Sequence, residues 1–383
     1  MASEGDKGMS RRRLLRLTAA GALAFASEPL GRRPGVSTDK ESKKPGSGGA
    51  QLPVRGLHVG LYRPGDASLW ERFIRDALPR EGVNLLVFEI NCHYAFKSYP
   101  QVAEPSPATA ENLKRVVTAC ADVGVELVPQ INCLGHQSSA ERSHGLLRAF
   151  PEFDERPDIP QDAGPKDLYC RSYCPLHPQV HDVLFALIDE LGEACGAKQF
   201  HVGMDETLLI AEDKCPRCHG KDPAELFAGE VRTLHDHLTS KGRRMWIWGD
   251  GFINVADFGI QGWSGWDKSP WRSVDKVPKD IVVCDWQYKK AVETPAYFIR
   301  KGFPVVSSPF RMADVALAEL DMMRRLRTES DLALGMLQTT WTGFDPFVRA
   351  YYGELDPSVS RNRMAVEVAN CFKTLFAALR GER

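Results

Sequence analysis

The sequence predicts an α/β protein whose folded part is a single (β/α)8 barrel. Short apolar runs rich in Val, Ile, Phe and Trp alternate with longer segments whose apolar residues recur every three to four positions. The alternation continues over residues 52–383 without a Pro/Gly-rich linker, which is typical of a closed parallel barrel. An open doubly wound sheet is disfavoured, because the first run leads into LYRPGDASLW, which contains no glycine-rich phosphate loop.

Eight apolar runs are candidates for the barrel strands, and they are short and rich in β-branched and aromatic residues. In chain order these runs are 55–62, 84–90, 126–132, 199–206, 244–250, 281–287, 303–310 and 334–341. In a second set of segments, apolar residues recur with helical spacing, and several of these segments end at a glycine. The predicted helices are 68–78, 109–124, 178–196, 225–242, 312–326 and 363–380.

The N-terminal region predicts an export signal followed by a tether. Arginines at 11–13 precede an apolar run over 17–26 that ends in small residues, as in a secretory signal peptide. The order SRRRLLR resembles the twin-arginine type of bacterial signal, so we expect residues 1–26 to direct export to the periplasm or beyond. A basic, disordered arm is the alternative. Residues 27–51 are rich in Gly, Pro, Ser and Lys and predict a flexible linker.

Composition narrows the possible partners. The 383 residues are 43% hydrophobic and 26% charged, with a formal net charge of −1. A balance this close to neutral provides no electrostatic reason to expect nucleic acid as a partner. No apolar run is long enough to span a bilayer. The oligomeric state has no signal in the sequence.

Polar residues recur where the predicted strands end, and the active sites of such barrels lie at the C-terminal ends of their strands. We therefore expect a shared site built from Glu89, His136, Asp205, Glu206, Asp250, Trp286 and Trp341. Asp205 and Glu206 are adjacent, and neighbouring strand residues point to opposite faces. Both reach one cavity only if the backbone turns there. Such a pair suits glycoside cleavage; the alternative is that both acids cap the next helix and face solvent.

Several segments together resemble a known enzyme family. HVGMDE at 201–206 resembles the His-x-Gly-x-Asp-Glu motif of the family 20 glycoside hydrolases, the β-N-acetylhexosaminidases. The resemblance extends over nearly the whole predicted barrel, and it is closest to the hexosaminidase D branch. The other segments that carry it are VRGLHVGLY, GVELVPQINCLGH, YCPLHPQVHDVLFALIDEL, MWIWGDGF and LQTTWTGFD.

The resemblance implies an exo-acting, retaining hydrolase that acts on glycans with terminal β-linked GlcNAc or GalNAc and requires no cofactor. In that family the 2-acetamido oxygen of the substrate is the nucleophile. Carried over to this sequence, Glu206 is the general acid and base, and Asp205 orients the acetamido N–H. His136 supports the two carboxylates, and Arg55 binds sugar hydroxyls. Trp248 and Trp341 form walls of the pocket.

The sequence also departs from the family pattern. Many relatives have a tyrosine after strand seven that hydrogen-bonds the acetamido oxygen, but Phe310 and Arg311 stand here. Many have a carboxylate after the tryptophan of strand eight, but Thr342 and Gly343 follow Trp341. These departures bear on the substrate more than on the reaction. A sugar-binding barrel without turnover is therefore the competing hypothesis.

Tryptophan is concentrated in the second half of the chain, where its rings are suited to stack on sugars. We expect Trp248, Trp286 and Trp341 to be cavity walls and Trp246 to fill the core. The role of the segment GWSGW is left open. His201, inside strand four, is expected to be a core histidine.

Two closely spaced cysteine pairs stand out among ten cysteines: Cys170 with Cys174, and Cys215 with Cys218. Four such thiolates are a typical ligand set for structural zinc. Disulfides in an exported protein and free thiols are the alternatives, and the order Cys-x-x-Cys-His also matches c-type haem attachment. The remaining cysteines are expected to be buried thiols.

Overall fold

Eight parallel strands close into a barrel in chain order, and β1 pairs with both β2 and β8. The computed structural model describes residues 51–60, 67–164, 169–260 and 270–382. The predicted fold class is therefore confirmed. The strands are β1 Val54–Val59, β2 Leu85–Glu89, β3 Glu126–Cys133, β4 Gln199–Gly203, β5 Arg244–Trp248, β6 Val282–Asp285, β7 Val305–Ser307 and β8 Ala333–Thr339.

Helices follow most of the strands, and each predicted helical segment overlaps at least one of them. They are α1 Ala67–Arg72, α2 Leu78–Glu81, α3 Ala110–Asp122, α4 Gly145–Ala149, α5 Val180–Ala194, α6 Pro223–Ser240, α7 Thr294–Arg300, α8 Ala313–Glu329, α9 Phe344–Tyr351 and α10 Arg363–Arg380. A single π-helical turn, Phe73–Ala77, joins α1 to α2. Between β5 and β6 the described residues form only 3-10 turns: Asp250–Phe252, Val255–Phe258 and Pro270–Lys276.

Local sequence accounts for several helix starts. Thr109 and Asn112 form a reciprocal capping box at the start of α3. Asp222 accepts a hydrogen bond from the Ala224 backbone N–H, and Pro223 occupies the first turn of α6. Both devices satisfy backbone donors that a helix start leaves free.

The apolar core has two layers. A small cluster fills the barrel interior, and it includes Trp246 and Trp248 from β5 together with Leu85, Val282 and Leu337. The larger cluster lies between the strands and the surrounding helices. Trp246 is 1% exposed, and its indole N–H donates to Gln199 Oε1 at 2.6 Å, which confirms its role in the core.

The predicted strands run further than the observed ones at their C-terminal ends. The fourth predicted strand extended to residue 206, whereas β4 ends at Gly203. The polar residues beyond that point belong to loops, where they are able to face the mouth of the barrel. The predicted signal peptide at 1–26 and almost all of the linker at 27–51 lie outside the described residues, as do Trp263 and Trp266. Within the described ranges, no helix is long and apolar enough to cross a membrane.

Candidate active site

A cavity of about 370 Å³ opens at the carboxyl ends of the strands, within the usual size range of small-ligand pockets. It brings together most of the residues predicted for the site. Its lining consists of Glu89, Asn132, His136, Tyr169, Asp205, Glu206, Trp248, Trp286, Tyr288 and Trp341.

The backbone after β4 explains how two adjacent acids reach one cavity. Gly203, Met204 and Glu206 have φ values of 67°, 67° and 45°, all in the left-handed region. This conformation is strained for Met204 and Glu206, because they are not glycines, and such strain is concentrated at functional sites. Gly203 has a second constraint, because a Cβ there would lie 2.4 Å from Asn132 Oδ1. The twisted backbone turns Asp205 and Glu206 into the same cavity.

His136 holds the two acids together. Its Nε2 lies 3.2 Å from Asp205 Oδ2 and 3.4 Å from Glu206 Oε2. Burial by itself lowers the pKa of His136, but Asp205 and Cys170 outweigh that effect and raise the pKa well above its usual value. His136 is therefore an imidazolium at neutral pH and provides positive charge between the two carboxylates.

Each acid keeps an oxygen for a ligand. Asp205 Oδ1 is buried and has no hydrogen-bond partner. A buried acceptor without a partner is costly, so this oxygen is matched to an N–H or O–H donor on a bound molecule. The hydroxyl of Tyr169 donates to Glu206 Oε2, which is also the oxygen that faces His136. Glu206 Oε1 forms no hydrogen bond within the described ranges.

Asp250 supports the acids from beneath rather than lining the cavity, which corrects the expectation that it binds substrate. It is 1% exposed, and its Oδ2 accepts the backbone N–H of Glu206 at 2.9 Å. Its Oδ1 accepts the indole N–H of Trp286 at 3.3 Å. Burial and the charge of Asp205 raise the pKa of Asp250 well above its usual value. Asp250 thus positions Glu206 and Trp286.

Glu89, the last residue of β2, lines the cavity within a hydrogen-bond network. Its Oε1 accepts from Asn91 Nδ2 at 2.7 Å and from Asn132 Nδ2 at 3.1 Å. Its Oε2 lies 3.5 Å from His58 Nε2. Burial acts to raise the pKa of Glu89, but His58 and Asn91 outweigh it and the pKa is lowered. Glu89 is a fixed carboxylate that presents hydrogen-bond acceptors to the cavity.

Aromatic rings form the remaining wall. The rings of Trp248 and Trp341 lie 5.8 Å apart at 53°, and those of Trp286 and Tyr288 stack at 5.0 Å. Flat apolar faces with polar edges suit the C–H faces of a sugar ring. The structure thus brings the three predicted tryptophans into one site. His201 lies behind Trp248 with its ring 4.6 Å away, and burial lowers its pKa well below the usual value, so it is a neutral core histidine as expected.

Two tyrosines were missed by sequence reasoning. Tyr288 accepts the Trp341 indole N–H at 2.7 Å, and the Thr339 side chain is a second hydrogen-bond partner of its hydroxyl. Its ring lies 5.4 Å from that of Phe310. Phe310 follows strand seven, where the resemblance led us to expect a tyrosine. Tyr288 stands only two residues after Trp286, which was the available signal. Tyr169 lies in a long loop after β3, directly before Cys170, and the cysteine spacing there carried no signal for this tyrosine.

The structure does not bring Arg55 to this site, so its predicted contact with sugar hydroxyls is wrong. Arg55 is the second residue of β1 and lies at the amino end of that strand. Its guanidinium donates to the carbonyl oxygens of Gly82 at 2.8 Å and Leu52 at 3.4 Å. All strands are parallel, so the start of a strand lies at the end of the barrel opposite the cavity.

The cysteine prediction needs a correction too. All ten cysteines are buried free thiols. Cys174, Cys215 and Cys218 converge, but their fourth neighbour is Glu155 and not Cys170. Cys170 lies next to the cavity instead, where its Sγ accepts the backbone N–H of His136 at 3.0 Å. The short spacing of Cys170 and Cys174 did not reveal that their side chains turn to different sites.

Two acids bridged by an imidazolium, beside a wall of tryptophans at the mouth of a (β/α)8 barrel, define the carbohydrate-active class of barrel proteins. A family model described as "Glycosyl hydrolase family 20, catalytic domain" matches residues 97–329. The chain belongs to glycosyl hydrolase family 20. The match contains His136, Asp205, Glu206, Trp248 and Asp250.

Individual relatives are distant. A beta-hexosaminidase of Vibrio furnissii is 25% identical over 252 residues, which cover 63% of this chain and 34% of that protein. A lacto-N-biosidase of Bifidobacterium bifidum is 23% identical over 218 residues, 52% of this chain and 18% of that one. The chain thus spans about a third or less of the length of these relatives. A Flavobacterium johnsoniae chitobiase structure has the same fold, with a TM-score of 0.60 and 17% identity over 87% of this chain and 52% of that one.

Proposed function

We propose that this protein is an exo-acting, retaining β-N-acetylhexosaminidase that removes terminal β-linked GlcNAc or GalNAc from glycans. The observation that carries the proposal is the pairing of Asp205, whose buried Oδ1 has no partner, with Glu206, whose Oε1 forms no hydrogen bond within the described ranges. One acid is arranged to accept a hydrogen bond from the substrate, and the other is able to exchange a proton with it.

In the proposed reaction, the 2-acetamido oxygen of the sugar attacks the anomeric carbon while Glu206 gives a proton to the leaving oxygen. The glycosidic bond breaks and an oxazolinium forms. Asp205 Oδ1 accepts the acetamido N–H and balances the positive charge that develops on it. Glu206 then takes a proton from a water molecule that opens the ring, which restores the acid with overall retention.

The chemistry of the cavity supports a substrate nucleophile. In the third lining carboxylate, Glu89, Oε1 accepts from Asn91 and Asn132, while Oε2 lies 3.5 Å from His58 Nε2 without a hydrogen bond. The two amides fix the position of this carboxylate, which suits it to bind sugar hydroxyls. His136 Nε2 lies 3.2 Å from Asp205 Oδ2 and 3.4 Å from Glu206 Oε2, so both acids face the same part of the cavity. A cavity of about 370 Å³ is at the small end of ligand sites, which favours one terminal sugar over an internal stretch of polymer.

Tyr288 is proposed to replace the tyrosine that family members have after strand seven. Its hydroxyl accepts from Trp341, and a bound acetamido oxygen would take its hydrogen in place of the Thr339 side chain. Phe310 fills space beside the Tyr288 ring. Recognition of the acetamido group would thus be provided from the loop after β6.

The test compares aryl β-glycosides of GlcNAc, GalNAc and glucose on the full-length protein and on the Glu206→Gln and Asp205→Asn variants. We expect cleavage only of substrates with an acetamido group. Glu206→Gln should lower kcat by about 10²- to 10⁴-fold, since it removes the proton donor. Asp205→Asn should lower it by about 10²- to 10³-fold, because an uncharged amide stabilises the oxazolinium less well.

Glu225→Gln, on the surface of α6, is the matched control and should retain full activity. Equal cleavage of the glucoside would contradict the mechanism, because glucose has no acetamido group. The competing sugar-binding hypothesis predicts a different pattern: GlcNAc binds with measurable affinity, yet neither the protein nor any variant releases aryl alcohol.

We also propose that residues 1–26 export the folded enzyme by a twin-arginine route, on the basis of the arginines at 11–13 and the apolar run that follows them. The test is cell fractionation of a bacterial host that expresses the full chain. Changing Arg11 and Arg12 together to lysine should leave the protein in the cytoplasm. Changing Arg32 and Arg33 together to lysine is the control and should leave export unchanged.

A further inference from the structure

Three thiols and one carboxylate meet where the loops after β3 and β4 pack together. Glu155 and Cys174 come from the first loop, and Cys215 and Cys218 come from the second. One ligand atom from each residue lies within 4.8 Å of all the others, and the four residues are buried. Cys174 Sγ is 3.2 Å from Cys218 Sγ. We call this group the Cys3Glu cluster.

We propose that the Cys3Glu cluster is a structural zinc site with Glu155, Cys174, Cys215 and Cys218 as its four ligands. Zn²⁺ binds thiolates at about 2.3 Å in a tetrahedron, which places two sulfurs about 3.8 Å apart. The ligand atoms are already grouped at that scale. Calcium and magnesium prefer shells of oxygen alone, so three sulfurs favour zinc. Four protein ligands leave no open position, and the metal is structural and takes no part in hydrolysis.

The backbone around the cluster is arranged as a ligand scaffold. The Cys218 N–H points to Cys215 Sγ at 3.4 Å, a contact that favours a thiolate within the Cys-x-x-Cys turn. On the other loop, Cys174 N–H donates to Phe153 O at 2.6 Å and Glu155 N–H donates to Ser172 O at 3.0 Å. Main-chain bonds therefore hold the backbone segments that carry Glu155 and Cys174.

Glu155 places a buried carboxyl group in the cluster. It is 0% exposed, and its Oε2 has no hydrogen-bond partner. Its Oε1 accepts a long bond, 3.4 Å, from the Glu212 backbone N–H, and its other polar neighbours are the Ala211 backbone and the thiols of Cys215 and Cys218. Within the described ranges, no basic side chain forms a salt bridge with Glu155. A buried carboxylate in this position is costly unless it is paired with a cation or coordinates a metal.

A disulfide satisfies this cluster less completely than a metal does. Three thiols can form one disulfide, which leaves one thiol and the Glu155 carboxylate buried together. A divalent cation engages all four groups. It would also fasten the loop that carries His136 and Tyr169 to the loop that carries Asp205 and Glu206, and so support the site without touching the substrate.

The test is the metal content of the full-length protein, purified without chelator, by inductively coupled plasma mass spectrometry. We expect one zinc per chain in the wild type and in Cys170→Ser and Cys195→Ser, which are matched controls outside the cluster. Cys174→Ser should retain less than about a tenth of that zinc. Because Cys174→Ser alone could fail to fold, wild-type protein is also stripped with a strong chelator. Its Tm should fall by several degrees and recover when one equivalent of Zn²⁺ is added.

If the protein is purified without metal, it is reduced and titrated with Zn²⁺. Uptake of one equivalent of Zn²⁺ per chain then supports the proposal. Failure to take up zinc, a Cys174–Cys218 disulfide in the native protein, or loss of zinc in Cys170→Ser would overturn it. The readouts are metal content and Tm, so they are independent of whether the protein hydrolyses hexosaminides.

Discussion

Two groups of acidic side chains are built from the loops after β3 and β4 of this barrel, and they differ in whether a basic side chain accompanies them. In the cavity, Asp205 and Glu206 are bridged by the His136 imidazolium. In the Cys3Glu cluster, no basic side chain in the described ranges forms a salt bridge with Glu155. The first group carries its own cation and leaves oxygens free for a substrate. The second has no such cation, and this difference distinguishes a site for a sugar from a site for a metal.

The largest effect is expected from a variant that removes the His136 imidazolium. His136→Phe leaves Asp205, Glu206 and Asp250 close together without positive charge, and we expect kcat to fall by about 10²- to 10³-fold. The measurement is steady-state kinetics on an aryl β-GlcNAc substrate. His235→Phe, a histidine on α6 far from the cavity mouth, is the control and should change kcat little.

The pH dependence of stability provides a second readout for the same variant. The pKa of His136 is raised in the folded state, so its contribution is complete below its unfolded pKa of about 6.5 and is lost as pH rises through the folded pKa. The stability difference between wild type and His136→Phe should therefore shrink from neutral to alkaline pH. A difference that stays constant over that range would show that His136 is not charged.

The Glu155→Gln variant tests whether a cation accompanies the carboxyl group of the Cys3Glu cluster. If zinc holds the Cys3Glu cluster, Glu155→Gln removes a charged ligand and should lower the free energy of unfolding by on the order of 2 kcal/mol. If no cation is present, the same change removes an uncompensated buried acid and should raise Tm. The sign of the change in thermal denaturation decides between these outcomes.

Glu319→Gln is a matched control for that variant. Glu319 is 1% exposed, its Oε2 accepts the Ser307 hydroxyl at 2.8 Å, and burial raises its pKa well above the usual value. It is therefore a neutral acid, and an amide should replace it with little change in Tm. If Glu155→Gln behaves like Glu319→Gln, then Glu155 is also a protonated acid without a metal.

A smaller effect is expected from Tyr169→Phe. The Tyr169 hydroxyl donates to Glu206 Oε2, and its loss leaves His136 as the remaining polar neighbour of that oxygen. A hydrogen bond to a charged group contributes about 1.5–3 kcal/mol, of which solvent at this half-exposed residue replaces part. We expect kcat to fall about tenfold, with the acidic limb of the pH–rate profile displaced. An unchanged profile would exclude Tyr169 from the positioning of Glu206.

Arg55→Ala should have the smallest effect on activity. Its bonds to Gly82 O and Leu52 O close the amino end of the barrel, so we expect a loss of about 1 kcal/mol of stability and an unchanged KM. A large rise in KM with normal stability would mean that Arg55 reaches the sugar after all.

The sequence alone determined the fold class and the identity of the acidic pair. Alternating apolar runs and helical segments are local patterns, and their order predicts a parallel barrel. In a parallel barrel, residues that follow the strands all lie at the same end of the barrel. For this reason the sequence predicted that Glu89, His136, Asp205 and the tryptophans share one site. A short family motif supplied the roles proposed for Asp205 and Glu206.

Only the tertiary structure decided which side chains meet. Tyr169 enters the cavity and Glu155 joins three cysteines because the long loop after β3 folds back in a way that spacing does not encode. Tyr288 enters the cavity and Asp250 lies beneath it because the backbone turns directly after β6 and β5. Arg55 was misplaced because its role was carried over from the family resemblance, although it stands at the start of the predicted strand 55–62 and barrel active sites lie at the C-terminal ends of strands. Adjacent acids share one cavity because Met204 and Glu206 adopt positive φ, a conformation that residues of their type rarely take and that surrounding packing must impose.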